Sequence, residues 1–360
     1  MKGLAALLLS IFVAMFCWGV YGPVLAVGRA GMEGSSLKPF ICVGIAYFLI
    51  AVLAPIVTLR LKGEVGHWSS TGIIWSLAAG AAGALGALGI ILALAFRGSP
   101  VFVMPLVFGG APVVNTFLTM YWSKSFKQIN PVFISGLILV IVGAATVLIF
   151  RPQHGPAPAA AHATEASAAE APAGGATPQK RAMGANESQA QRWGMVTLFT
   201  AMTALSWGVY GPTLHRGQMA MAGSRLRPFI CVGISYFLMA VIIPCLILVQ
   251  WEEPGRFTFT GTVWSLAGGA AGAIGALGII MAFNFGGKPI FVMPLVFGGA
   301  PVVNTFVSVT QAGQWGDLHP FFFAGLIVVV AGAVTVLIFA PKPAPHHPPA
   351  DEKKPEPAPA

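Results

Sequence analysis

Few side chains in this sequence are equipped to hold a polar ligand, and they come in matched sets. Trp18 and Tyr21 stand three residues apart on one face of an apolar run, and Trp207 and Tyr210 repeat them. Rings so placed can stack on a sugar or another planar ligand. Their spacing predicts two aromatic rims, Trp18/Tyr21 at one mouth of a path and Trp207/Tyr210 at the other. An interfacial belt is the competing role. Asn115 and Asn304 each put an amide, donor and acceptor at once, into an apolar segment. Such a group serves a polar solute or bonds a neighbouring helix. Just ahead of the two asparagines lie Pro105, Gly109, Gly110 and Pro112, and then Pro294, Gly298, Gly299 and Pro301. Proline removes a backbone donor and clashes with the preceding turn, and paired glycines loosen the chain. These residues predict helix breaks that act as hinges beside a wet cavity, with a packing kink as the alternative.

Other chemistry is missing. No nucleotide loop, paired carboxylates, His/Cys metal set or nucleophile with its base is visible, so no enzyme, metal or cofactor is expected. The apolar runs hold no Asp, Glu, Lys or Arg, which leaves no intramembrane carboxylate for proton coupling. Facilitated or exchange transport is therefore favoured. His215 ends one run, and its counterpart is Ala26; it reads as interfacial. Cys17, Cys42, Cys231 and Cys245 lie in apolar runs and read as small buried thiols without disulfides.

The elements that must position these residues follow from composition and from one repeat. The 360 residues are 56% apolar and only 9% charged, with a mean hydropathy of +0.79. That excludes an ordinary soluble domain and disorder of the whole chain. The net charge of +9 is spread between apolar runs, not gathered into the stripe that nucleic acid needs. Residues 4–150 match 193–339 at a constant offset, and Phe102–Phe117 recurs unchanged as Phe291–Phe306. Each copy holds five apolar runs able to cross a bilayer: 4–26, 39–59, 72–96, 101–122 and 131–150, then 194–215, 228–249, 261–285, 290–311 and 320–340. The expected fold is all-α, ten transmembrane helices in two five-helix repeats. Five is odd, so the copies must run in opposite directions as inverted-topology repeats. The third runs carry small residues four apart (Ser76, Gly80, Ala84; Ser265, Gly269, Ala273), which read as close-packing faces.

The expected organisation is a first repeat over 1–151, an Ala/Pro-rich flexible linker over 152–191, a second repeat over 192–340 and a Pro-rich disordered tail over 341–360. His154, His162, His346 and His347 fall in the linker and tail and read as solvated filler. With the N-terminus inside, Lys and Arg favour the inner loops weakly in the first repeat and clearly in the second. This predicts a multi-pass protein of the cell (inner or plasma) membrane with both termini cytoplasmic. The first run is longer than a signal-peptide core and has a mid-chain copy, so it reads as a structural helix. A non-transporting helical scaffold or assembly subunit is the second function class. Expected partners are a small-molecule solute and the lipid bilayer, not nucleic acid, with a homodimer left open.

Two fivefold units, a Trp-Gly pair in each first span, short hairpins at Arg97–Pro100 and Gly286–Pro289, a Pro-interrupted fourth span and a closing Gly-Leu-Ile helix together resemble the drug/metabolite transporter superfamily, its EamA-like group. The resemblance covers about 300 residues and rests on architecture more than on any one motif. It implies a permease for small polar metabolites such as sugars or amino acids. The first four helices of each half would surround a central cavity, and the fifth and tenth would lie outside it. An acidic residue that often follows the fourth span in this group is absent here, and so is the membrane glutamate of the small members.

Overall fold

The computed structural model describes residues 2–124, 129–150, 178–285, 289–313 and 315–339. Among these residues the chain is all helical but for turns and one 3-10 turn at Trp315–Asp317. We number the helices α1 Lys2–Gly31, α2 Leu37–Lys62, α3 Ser70–Ala95, α4 Pro100–Ser123 and α5 Pro131–Ile149. Then follow α6 Pro178–Ala220, α7 Leu226–Gln250, α8 Phe259–Asn284, α9 Pro289–Ala312 and α10 Pro320–Phe339. Their starts are written in the sequence. Pro100, Pro131, Pro289 and Pro320 occupy first-turn positions, where a missing N–H costs nothing. Asn130 caps α5 through a 2.8 Å bond from the Phe133 amide to its Oδ1.

Helices α2 and α7 each contain one π turn, Phe48–Leu53 and Leu238–Ile242, immediately before Pro55 and Pro244. A proline ring crowds the carbonyl one turn back, and widening that turn relieves the clash. The widened turns lie where α2 and α7 cross. There a Cβ on Gly44 would meet Ala240 and Val241, and one on Gly233 would meet Ala51 and Val52.

Among the described residues, six helical segments are long and apolar enough to cross a bilayer: Gly3–Gly31, Leu37–Lys62, Ser70–Ala95, Val103–Trp122, Leu226–Gln250 and Phe259–Ala282. Their outward faces carry exposed Leu8, Leu9, Phe12, Phe16, Leu246 and Val249, a surface suited to lipid and not to water. The chain is a multi-pass membrane protein. The expected count of ten spans is larger than these six. The apolar parts of α5 and α10, Pro131–Val147 and Pro320–Val336, are shorter. At 1.5 Å per residue each covers about 25 Å of a hydrocarbon layer of about 30 Å.

The two halves interlock more than they stand apart. The most extensive packing pairs α1 with α8, α3 with α6 and α5 with α10, always across the halves. Contacts between halves recur when each residue is exchanged for its copy. Trp18 meets Trp207, Tyr47 meets Tyr236, Phe48 meets Phe237 and Phe108 meets Phe297. Each of these residues touches its own copy, which is the mark of a two-fold relation. In α5 and α10, Gly136 and Gly143 approach the α10 backbone while Gly325 and Gly332 approach that of α5.

Carboxylates tie the halves at both ends. Glu64 accepts from the Ser224 hydroxyl at 2.6 Å and from the Arg225 amide at 2.9 Å, capping α7. Glu253 does the same for α2, accepting from the Ser35 hydroxyl and, at 2.7 Å, from the Ser36 amide. Arg227 and Lys38 complete the two clusters at 3.6 and 3.7 Å. Burial alone would raise the Glu253 carboxyl, but Ser35, the Ser36 and Leu37 amides and Lys38 together hold it below its ordinary value of 4.5.

Of the residues read as linker, 178–191 form the start of α6. Residues 152–177 and the tail 341–360, with their four histidines, lie outside the described residues. Cys42 and Cys231 are buried, while Cys245 is exposed on the outer face of α7.

Candidate functional site

A cavity of about 780 Å³ lies between the halves, within the range of small-molecule sites. Its inner end is aromatic. The Trp18 and Trp207 rings lie 6.5 Å apart at 25°, and Tyr21 and Phe108 each stand 6.1 Å from Trp207. Tyr47 and Tyr236 stack flat at 3.7 Å. The tryptophans are locked in place across the halves. The Trp18 Nε1–H donates to the Gly272 carbonyl and the Trp207 Nε1–H to that of Gly83, both at 3.2 Å.

This arrangement explains the small residues of α3 and α8. A Cβ at Gly86 would overlap the Trp207 pyrrole edge, and one at Gly275 would overlap that of Trp18. Gly83 and Gly272 give the same clearance to Tyr236 and Tyr47. The α3 and α8 glycines are thus seats for the cavity's rings, beyond the close packing their spacing suggests. The two separate rims expected from sequence are not present. Trp18, Tyr21, Trp207 and Tyr210 line one cavity, because the long indoles of α1 and α6 reach across and meet.

From this aromatic end the cavity runs along α4 and α6 toward the α6–α7 turn. Asn115, Thr119 and Trp122 line one side, and His215, Arg216 and Arg225 lie on the other. Among the described residues, none of the lining comes from the equivalent α1–α2 turn at the opposite end. The cavity is one-sided.

The two asparagines register that asymmetry. Asn115 is half-buried, faces the cavity and has no hydrogen-bond partner among the described residues. Gly211 leaves it room, since a Cβ there would sit 2.6 Å from the Asn115 Nδ2. Asn304 is 0% exposed, outside the cavity lining, and its Nδ2–H donates to the Pro100 carbonyl at 3.0 Å. That bond joins α9 to the start of α4 and closes the end that lacks a mouth.

The helix breaks expected at the prolines do not occur. Helix α4 is continuous through Pro105, Gly109, Gly110 and Pro112, and α9 through Pro294, Gly298, Gly299 and Pro301. The glycines face neighbouring helices. A Cβ on Gly109 would strike Val329, one on Gly110 would come 3.2 Å from Ala204, and Gly298 and Gly299 lie against Val334 and Met15. Surrounding helices hold these segments straight enough to stay helical, so packing, and not a gap in the backbone, accounts for the small residues.

Tyr47, Tyr236, Arg216 and Arg225 went unnoticed as site residues. The tyrosines had a signal, a matched phenol midway along each second apolar run. Arg216 had one too, since its counterpart is Val27. The Arg216 guanidinium lies 3.8 Å from the Trp122 ring centre and 5.0 Å from that of Trp75. Trp75 thus stands at this mouth, while its copy Trp264 is 40% exposed. Among the described residues, no three His, Cys, Asp or Glu side chains gather as a metal site. No protein-family model matches this chain, and no curated protein matches it either.

Proposed function

We propose that this chain is a carrier that moves a small polar metabolite, sugar-like or amino-acid-like, across a cell membrane by alternating access. In this reading all ten helices span the bilayer, the repeats have opposite topology, and both termini are cytoplasmic, as in the EamA-like transporters that the sequence resembles. The observation that carries it is the one-sided cavity whose two equivalent asparagines differ, Asn115 free at the open end and Asn304 bonded at the closed end. A two-fold pair of repeats has a second arrangement of equal design, in which Asn304 is freed and Asn115 bonds the Pro289 carbonyl. Exchange between the two carries a solute past the aromatic centre. The α2–α7 crossing and the Glu64 and Glu253 ties act as the fixed frame of that motion. With no carboxylate in the cavity lining among the described residues, facilitated or exchange transport is favoured over proton coupling.

The test is entry of radiolabelled metabolites into phosphatidylcholine vesicles containing the purified protein. Flux of at least one solute, cut more than tenfold by Asn115→Ala in folded protein, supports the reading. Absence of flux across a panel of sugars, amino acids, nucleosides and organic acids contradicts it and favours a scaffold.

A further inference from the structure

We propose that the cavity selects an anion: a solute carrying one phosphate or carboxylate group beside a planar or ring-shaped portion. This rests on the carrier reading above and adds the substrate's charge to it.

Three observations converge on that chemistry. The mouth of the cavity holds Arg216 and Arg225, and among the described residues no Asp or Glu side chain lines any part of it. Neither guanidinium has a hydrogen bond or ion pair among the described residues, although Arg216 is pinned against Trp122 and Trp75. Stacking of this kind covers the face of a guanidinium and leaves its N–H edge to donate, the geometry that grips phosphate or carboxylate. The nearest carboxylate, Glu64, is already engaged by the α7 amides, the Ser224 hydroxyl and Arg227.

Comparison with the sealed end sharpens the point. There the counterparts of Arg216 and Arg225 are Val27 and Ser36. Two cations at that end are occupied: Arg29 donates to the carbonyls of Leu94 and Gly34, and Lys38 to Glu253 and its backbone. Among the described residues, the two free guanidiniums that line the cavity, Arg216 and Arg225, both stand at its open mouth, where they raise the local concentration of anions.

The inner end supplies the rest of the solute's outline. Tyr21 lines the cavity at 3% exposure, and its hydroxyl has no hydrogen-bond partner among the described residues. A buried phenol left unpaired is costly, and a polar atom on a bound solute answers it. The indoles of Trp18 and Trp207 offer the adjoining ring face. An anion held at Arg216 with a ring reaching inward meets all of these groups.

The same guanidiniums would also suit a lipid headgroup phosphate, so the test separates the two sources. Full-length protein in phosphatidylcholine nanodiscs is heated with UMP or uridine, and with indole-3-acetate or indole-3-acetamide. UMP or indole-3-acetate is expected to raise the unfolding temperature and its neutral partner to do so much less. Arg216→Gln or Arg225→Gln is expected to weaken the anion's apparent affinity about tenfold or more, with lysine restoring part of it. Arg216→Lys serves where Arg216→Gln fails to fold. Equal protection by charged and neutral partners, protection by neither anion, or unchanged anion affinity in both glutamine variants overturns the proposal. So does stabilisation that appears only when phosphatidylglycerol is added and is lost in Arg216→Gln, which makes the arginines headgroup anchors. Vesicle flux distinguishes the two levels of inference. Movement of neutral solutes with exclusion of anions removes the charge assignment and leaves a carrier, whereas absence of all flux removes the carrier itself.

Discussion

Asn115 and Asn304 stand in sixteen-residue surroundings that are letter for letter the same, yet one faces a cavity and the other closes a seam. Nothing local separates them. What differs is the state of the whole bundle, which brings α9 onto the start of α4 at one end and leaves the other end parted. The remaining exchanges between halves are even-handed. Both tryptophans bond a carbonyl at 3.2 Å, and both carboxylates cap a helix of the other half. A molecule symmetric in its fixed contacts and asymmetric at its two ends has the makings of a two-state device.

The comparison breaks most severely where its symmetric centre is disturbed. Valine at both Gly86 and Gly275 drives side chains into the two indoles and should cost about 1–3 kcal/mol or more at each site. Thermal unfolding will show a fall of several degrees for either single variant and a larger one for the pair. An unchanged midpoint would mean the rings do not sit on these glycines.

Next in size is the contrast between the ends. Asn304→Ala removes the bond that ties α9 to the start of α4, leaves a gap in a buried seam and should lower stability by about 1–3 kcal/mol. Asn115→Ala removes no bond and should stay within about 0.5 kcal/mol, while depressing flux. Chemical unfolding of the two variants side by side measures the difference. Equal losses would erase the asymmetry.

A smaller effect concerns acid. The Glu253 carboxyl lies below its ordinary 4.5, so the folded protein binds that proton less readily than the unfolded chain. The stability it contributes is complete above that ordinary value and fades as pH falls through the lowered one. An unfolding series from about pH 6 to 3 should show Glu253→Gln losing less on acidification than the parent. Parallel curves would remove the tie from the account. The smallest effect is expected at the indole bonds. Trp18→Phe and Trp207→Phe should each cost about 1 kcal/mol and by similar amounts, again read by unfolding.

Much of this frame was legible from residues alone. Apolar runs at bilayer length, prolines at helix starts and the constant offset between copies lay out the helices, whereas which helix packs on which came from the structure. The six residues expected at the site also show where sequence reading fails. Five of them line the cavity, and the sixth, Asn304, is sealed away by a contact that depends on the global state. Trp18 and Trp207 were expected at opposite mouths because a span's linear position says little about how far an indole reaches sideways. The prolines of α4 and α9 were expected to break their helices. Propensity was overridden by packing, for Gly109 and Gly298 press against α10 and hold the backbone in place. Arg216 and Arg225 stand where the charges that orient a membrane protein also stand, and only Val27, in the place of Arg216 in the first copy, marks that arginine as different.

The claim that two mirrored arrangements exchange is tested most directly by trapping each. In a variant freed of its native cysteines, one cysteine pair replaces Pro100 and Asn304, and another replaces Pro289 and Asn115, each treated with a short bifunctional thiol reagent in vesicles. The account predicts that both pairs cross-link, each in its own variant, and that either link stops flux until it is cleaved. Cross-linking confined to the 100–304 pair, with flux undiminished, would contradict it.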